Sequence, residues 1–554
     1  MNLIRAALII LIALNAYFLL IFWQKDYPKL KEVTVDLEKP LLSKKETDLP
    51  QIEKISPTPI IPDISYENRY VTVKTDVLIV KIDLVGGDII YSALLKYPTH
   101  IENKNDPFVL LSKDPYEYVI QSGFLGASGK DLDSGGSNFG RPLYKTNAST
   151  FEIKDDFIEI PLSYEIKPGL TYTKTFKLKR NSYLVDEVIS IKNNNDVSWT
   201  GKYFSQIKRN QLEDPSIGKK SVFGLSTYLG FAYWKPDDPF NKVSFSDIED
   251  AQNNNEPLKF SHAGGWVSFV QHYFISALIP DATQSFDYFA RKNTDGEYIF
   301  GYTAKDFLNI EAFSTKNLTN QFYIGPKIQS ELKKAAKGLD LSVDYGVLYF
   351  IAKKLFLLLE WFYSQVHNWG WAIVLLTVLV KAIFYYPSAI SYKSMARMKK
   401  IQPQIAKLKE LYKNDHQKVS QEMMKIYQKE KVNPLGGCLP VLLQMPVFLA
   451  LYWTLLESVE LRHAEFIFWV HDLSIMDPYF VLPILMGASM FLQTALSATS
   501  IADPMQEKVM KFMPVFFTVF FLFMPAGLVL YWLTNNILSI LQQWFITRQV
   551  AKAE

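Results

Sequence analysis

A chain of 554 residues is too long for one ordinary domain, and its single cysteine, Cys438, rules out an internal disulfide. The net charge of +3 singles out no partner, and DNA is not among those expected. The near-even balance of apolar and polar residues averages two unlike parts. Residues 25–340 are polar and rich in turns, whereas 345–547 hold almost all the long apolar runs.

The N-terminus, "MNLIRAALIILIALNAYFLLIFWQKDYP", places Arg5 ahead of an apolar run that ends near Trp23. About 20 residues at 1.5 Å each suffice to span a bilayer. Charged residues follow directly, without a small-residue cleavage site, so 1–24 reads as an uncleaved signal anchor with its N-terminus in the cytoplasm. Residues 25–65, with Pro40, Pro50, Pro57, Pro59 and Pro62 and no apolar period, read as a solvated linker.

Over 66–340 the pattern changes to period two. "TYTKTFKLK" sets Tyr172, Phe176 and Leu178 on one face, Lys174 being the exception, and Thr171, Thr173, Thr175 and Lys177 on the other. "RYVTVKTDVLIVKIDLVGGDIIYSALL" reads as two strands split at Gly86-Gly87. Turn signals recur at "SGGSNFG", "KPGL", "NNNDVS", "AQNNNEP" and "NTDGEY". Many short strands without alternating helices predict an antiparallel β-sandwich. His100, His262 and His272 have no metal-ligand spacing, and no nucleophile elbow occurs, so neither an enzyme nor a metal or cofactor is expected. Carbohydrate binding in a cleft stays open.

In the second half, loop charge sets orientation. Residues 345–366 are apolar but interrupted by Lys353, Lys354 and Glu360. If they crossed, the segment 388–434, with eleven Lys and Arg against four acids, would lie outside. The positive-inside rule opposes that, so 345–366 reads as an amphipathic helix along the outer surface. Spans are then expected at 369–387, 435–457, 479–498, 509–524 and 528–546. With the anchor they make a six-span α-helical membrane protein, both termini cytoplasmic and the sandwich outside. The segment 388–434 reads as a basic helical hairpin. Its first helix opens at Pro403, with Ile401, Ile405, Leu408 and Leu411 or Tyr412 on one side, and "KNDH" turns into the second.

Here the residues carry a resemblance. "QEMMKIYQKEKVNPLGGCLPVLLQMPVFLALYW", "LPILMGASMF", "DPMQEKVMKFMPVFFTVFF" and "PAGLVLYW" resemble the YidC family of membrane protein insertases. The anchor, linker and sandwich resemble its Gram-negative form, which carries a large periplasmic domain. The resemblance implies a multi-pass protein of the bacterial inner membrane that integrates and folds nascent membrane proteins, alone or with the Sec translocon, without a cofactor. It implies a polar groove open to cytoplasm and lipid, with a membrane-embedded cation. That cation, usually arginine in the family, aligns with Lys381. It also implies that the hairpin meets clients or the ribosome; no long basic ribosome-binding tail is expected after Ile546.

The local chemistry supports a groove. A lysine within a span costs about 2.5–3.5 kcal/mol on insertion scales. Thr377, Lys381 and Tyr385 recur at helical spacing, as do Ser489, Gln493 and Ser497. Tyr531, Thr534, Asn535, Ser539 and Gln542 form a third stripe, and Gln444 lies between Pro440 and Pro446. The groove set is therefore Lys381, Thr377, Gln444, Gln493, Tyr531, Trp532, Thr534 and Asn535. Two plainer readings stand beside it. Such polar residues also hydrogen-bond between packed helices, and a lysine about 9 Å from the span's end can snorkel. The rival function is a polytopic solute or lipid transporter with an exported carbohydrate-binding domain.

The topology makes a direct prediction. In a Cys438→Ser background, Asn254→Cys and His463→Cys should react with an impermeant thiol reagent in intact spheroplasts, and Lys413→Cys only after the membrane is opened. External labelling at position 413 would contradict the six-span order.

Overall fold

The computed structural model describes residues 69–552 apart from Pro115, Ser128, 134–140, 213–226, 413–414, 431–438 and 497–503. The expected anchor and linker, the "SGGSNFG" loop, Cys438 and Ser497 lie outside the described residues.

Residues 70–326 form two sheets. One has eleven strands, nine of them in the order Leu258–Ala263, Ser285–Lys292, Tyr298–Ala304, Trp199–Arg209, Tyr118–Gly126, Asp88–His100, Leu78–Asp83, Tyr70–Lys74 and Thr150–Glu152. Leu308–Ile310 and Asn103–Leu111 pair alongside. The other runs Asp238–Val243, Gly230–Lys235, Trp266–Val270, Phe274–Ile279, Thr315–Pro326, Leu184–Asn193, Leu170–Lys179 and Phe157–Lys167. Ring contacts between the sheets mark their shared core, such as Phe108 stacked on Phe274 at 4.3 Å. The pairing is antiparallel except at one edge, where Tyr70–Lys74 runs parallel to Thr150–Glu152. One helix, α1 (Phe245–Asn253), interrupts the run of strands, capped by Ser244.

Sequence chemistry explains the turns. In "KPGL", Gly169 adopts φ 81°, the left-handed conformation that glycine takes without a Cβ clash. The stretch expected to give two strands gives three. At "KTDV" the Thr75 hydroxyl accepts the backbone N–H groups of Val77 and Leu78, at 3.2 and 2.9 Å, and turns the chain before Gly86-Gly87 is reached.

Lys174, the outlier of its strand, points into the core with no exposed surface. Its ammonium donates to the Ser122 carbonyl at 2.9 Å and lies 3.6 Å from Glu187 Oε1. Burial pushes this ammonium down, and Glu187 works in the opposite direction. Glu187 in turn accepts from Ser122 and Tyr203 of the facing sheet, at 2.5 and 2.6 Å. A buried charge is tolerated when its partners are complete, and here they stitch the two sheets together.

The helical part follows α2 (Gln329–Ala335): α3 Tyr349–Val366, α4 Trp369–Ile383, α5 Tyr385–Leu411, α6 His416–Lys429, α7 Leu439–Glu457, α8 Val481–Leu496, α9 Pro504–Phe521 and α10 Ala526–Lys552. His367 closes α3 at φ 52°, and the Asn368 side chain caps α4 by accepting from Trp371 N at 3.0 Å. The two are thus separate helices. On α3, Ala352, Leu355, Phe356 and Leu359 are buried, while Phe350 and Trp361 are exposed.

Two expectations need correction. The continuous helix expected over 369–387 stops at Ile383, and α5 starts at Tyr385, bent 68° from α4. Pro387 therefore sits in the first turn of α5, where its missing N–H has no intrahelical partner to lose. Tyr385 accordingly leaves the face it was expected to share with Thr377 and Lys381. Pro403 does not open the hairpin's first helix but lies inside α5. The hairpin closes through Met398, Ile401 and Ile405 against Met423 and Tyr427, while Leu411 is exposed.

Among the described residues, no single helix is long and apolar enough to cross a membrane. The bent pair Trp369–Ile383 and Tyr385–Leu408 passes that test together, and Val481–Leu496 and Phe512–Phe521 are shorter apolar helices. Outward residues of α8, α9 and α10 are nonetheless apolar: Ile484, Phe491, Phe512, Phe516, Leu541 and Phe545 are all exposed. Such a surface is unlike that of a water-facing bundle.

The sandwich is tied to the C-terminal end of α7. Lys327 pairs with Glu457 at 2.8 Å, each side chain at most 3% exposed. Burial pushes the His272 imidazole down to about 3, so it is neutral, and Nε2–H donates to the Leu456 carbonyl at 2.8 Å. Arg462 donates to the Pro98 carbonyl at 2.8 Å. Removing one partner of a buried ion pair costs about 3–5 kcal/mol, because the other charge is left behind. Lys327→Met should thus shift the proteolysis midpoint of the full chain in detergent to clearly lower urea. Lys327→Glu with Glu457→Lys should recover part of the shift. An unmoved midpoint in Lys327→Met would contradict the coupling.

Candidate functional site

The site begins with the break in the helix. Because α4 stops at Ile383, Lys381 lies in its last turn, where the negative end of the helix dipole favours a cation. The apolar residues Ile373, Leu376 and Val380 bury the same helix in its neighbours. Lys381 is itself 9% exposed.

Its partners come from two other helices. Lys381 Nζ donates to Ser539 Oγ of α10 at 2.7 Å and, more weakly, to Gln444 Oε1 of α7 at 3.4 Å. Gln444 Nε2 donates onward to Asn535 Oδ1 at 2.5 Å. The Ser539 hydroxyl donates to the Asn535 carbonyl one turn back, at 2.7 Å. Three helices therefore meet on one ammonium through neutral groups.

That neutrality separates Lys381 from the other buried lysines. Lys174, Lys208, Lys327 and Lys381 are each no more than 9% exposed. The first three have carboxylates at 3.6, 2.5 and 2.8 Å, those of Glu187, Glu117 and Glu457. Among the described residues, Lys381 has none within 4.0 Å. A carboxylate is the strongest acceptor an ammonium can find, so a buried lysine without one is open to an acidic group from elsewhere.

The other predicted residues divide. Gln444 and Asn535 join Lys381. Thr377 is fully buried, and its hydroxyl donates to the Ile373 carbonyl of its own helix at 2.7 Å. Tyr531 is buried and Trp532 half-buried, with Trp532 edge-on to Phe448 at 4.5 Å, so these rings brace α10 against α7. Thr534 and Gln493 are half-buried, and no hydrogen bond joins them to Lys381 among the described residues. The stripe on α8 meets α10 at another point, where Asn536 donates to Ser489 at 3.1 Å. Ser539, read in the sequence only as one member of a stripe, is the nearest partner of the lysine. Its place one turn after Asn535 was the available signal.

Comparison with known proteins agrees with this architecture. The family described as "YidC periplasmic domain" matches residues 70–358, and that described as "60Kd inner membrane protein" matches 361–553. A membrane protein insertase YidC of Pseudomonas entomophila is 43% identical over 574 aligned positions, covering 100% of this chain and 99% of that protein. The chain belongs to the YidC family. A Marinomonas member of the family, also named a membrane protein insertase, is 46% identical, with 97% of each chain covered. The solved structure titled as an active YidC insertase with its first transmembrane domain resolved aligns at 18% identity and a TM-score of 0.38, covering 86% of this chain and 92% of that one. The boundary between the two family matches, at 358–361, falls within α3.

Proposed function

We propose that this protein is a membrane protein insertase of the inner membrane whose working group is the ammonium of Lys381. The observation that carries the reading is a buried lysine held by neutral acceptors on two neighbouring helices, whereas the other buried lysines among the described residues are matched with carboxylates. The full-length likeness to proteins named insertases supports it, and no feature of the site favours the transporter alternative.

On this reading a nascent membrane protein enters from the cytoplasmic side, and an acidic or polar segment of its outer tail exchanges with Ser539 and Gln444 at Lys381. The ammonium gives that segment a resting point within the bilayer, so that the crossing becomes two shorter steps. The client's apolar helix leaves sideways into lipid past the exposed apolar faces of α8 and α9. Its burial, at about 25 cal/mol per Å², supplies the free energy, and no covalent step is needed. The groove set also takes in Thr377, Gln493, Tyr531, Trp532 and Thr534 as walls and braces. The six-span order, cytoplasmic termini, outer-surface helix 345–366 and basic hairpin 388–434 belong to the same proposal. The hairpin's cations suit anionic lipid and the ribosome, and the Sec translocon is the expected collaborator for larger clients.

The test varies tail charge. Lys381→Arg keeps the cation and should insert clients nearly as well as the parent. Lys381→Ala should lower protease protection of an acidic-tailed client about tenfold, the equivalent of about 1.4 kcal/mol, and a neutral-tailed one far less. Lys381→Glu should be worst. Equal loss for both tails in Lys381→Ala would mean that the lysine only holds the helices together.

A further inference from the structure

We propose that Ser539 is a positioning residue that keeps the Lys381 ammonium loaded for exchange, and that Gln444 and Asn535 enforce its role. This rests on the proposed function of Lys381 and adds the device that sets its availability.

The direction of the hydrogen bonds gives Ser539 this role. A hydroxyl is donor and acceptor at once and turns to suit its neighbours. Here the Asn535 carbonyl, 2.7 Å away and one turn back, takes the Ser539 proton. The Ser539 oxygen is then left with lone pairs alone toward Lys381 Nζ at 2.7 Å. The Gln444 amide is fixed in the same sense. Its nitrogen donates to Asn535 Oδ1 at 2.5 Å, so its oxygen faces the ammonium at 3.4 Å. Flipping the amide would set N–H against N–H at one end and oxygen against oxygen at the other. Asn535 thus orients both acceptors, one through its backbone and one through its side chain.

Every acceptor in the set is neutral. A carboxylate built into the protein at this place would hold the ammonium more tightly and keep an incoming acid out. With none among the described residues, the short Ser539 contact gives the lysine one position, and a weaker grip than an arriving carboxylate offers. Ser539 therefore fixes where the cation waits without competing for it.

The experiment compares Ser539→Ala, Ser539→Thr and Ser539→Asp in the full chain in cells. It measures protease protection of one small client whose translocated tail carries zero, one, two or three aspartates. The readout is the dependence of insertion on tail charge, which a purely structural role would not move. Threonine keeps the hydroxyl and its bond to the preceding turn, so Ser539→Thr should restore the parental dependence. Ser539→Ala should weaken the preference for acidic over neutral tails about fivefold, the scale of one modest hydrogen bond. Ser539→Asp should flatten it fully, because the protein then supplies its own carboxylate. Equal loss for all tails in Ser539→Ala, or an unchanged charge dependence in Ser539→Asp, would overturn the proposal. Lys381→Ala run alongside separates the two claims. If it abolishes the charge dependence while the Ser539 variants leave it intact, only the positioning role fails. If Lys381→Ala leaves it intact, the reading of Lys381 itself fails.

Discussion

A buried ammonium must be held by something, and what holds Lys381 determines how the helices around it are arranged. Desolvating a lysine is costly enough that an unpaired one would be expelled to the surface or neutralised. Here the cost is offset without a carboxylate. The last turn of α4 sets the lysine at the negative end of the helix dipole, Ser539 meets it at 2.7 Å, and Gln444 lies within weak reach. Each demands a particular placement of backbone. α4 must stop early, α7 must present Gln444, and α10 must turn the Asn535–Ser539 face inward. The rings of Phe448, Tyr531 and Trp532 pack where α7 and α10 meet and keep that face in register.

The sandwich obeys the same physics with the opposite outcome. Lys174 and Lys327 are as deeply buried, but each is closed by a carboxylate, and each joins parts that must stay together. Lys174 links two sheets; Lys327 links the sandwich to the C-terminal end of α7. A paired buried lysine acts as a fastener, and one with neutral partners remains available on the function proposed for Lys381. The contrast also gives the sandwich a part in the membrane region's mechanics, since the helix that carries Gln444 ends at the residue that Lys327 holds.

Much of this was legible in the sequence. The period-two stretch around Tyr172, the Pro168-Gly169 turn and the polar stripe of α10 follow directly from residue order. Lys381 announces itself because a cation in an apolar run needs a reason. Three features were hidden for physical reasons. Lys174 looked like a fault in its strand because its partners, Ser122 and Glu187, come from other strands, one of them in the facing sheet. The stop at Ile383 was hidden because its mark stands four residues later: Pro387 has no N–H for the Ile383 carbonyl and its ring would crowd that carbonyl, yet proline is as acceptable in a helix's first turn as after its end. Ser539 could not be ranked above Thr534 or Gln542 until the rotation of α10 against α4 was known. Pairings across elements decide such cases, and periodicity along one element cannot supply them.

The central claim is that a client's carboxylate meets Lys381 itself. Lysine permits a test that arginine does not, because a carbodiimide couples a carboxylate to a primary amine with no spacer, and only atoms in contact react. A ribosome-bound client bearing a single aspartate in its translocated tail, treated with carbodiimide in inner-membrane vesicles, should yield an amide crosslink that peptide mass spectrometry maps to Lys381. The crosslink should vanish in Lys381→Arg, although that variant still inserts the client. Insertion without any crosslink at Lys381, or a crosslink of the same client that persists in Lys381→Arg, would contradict the account.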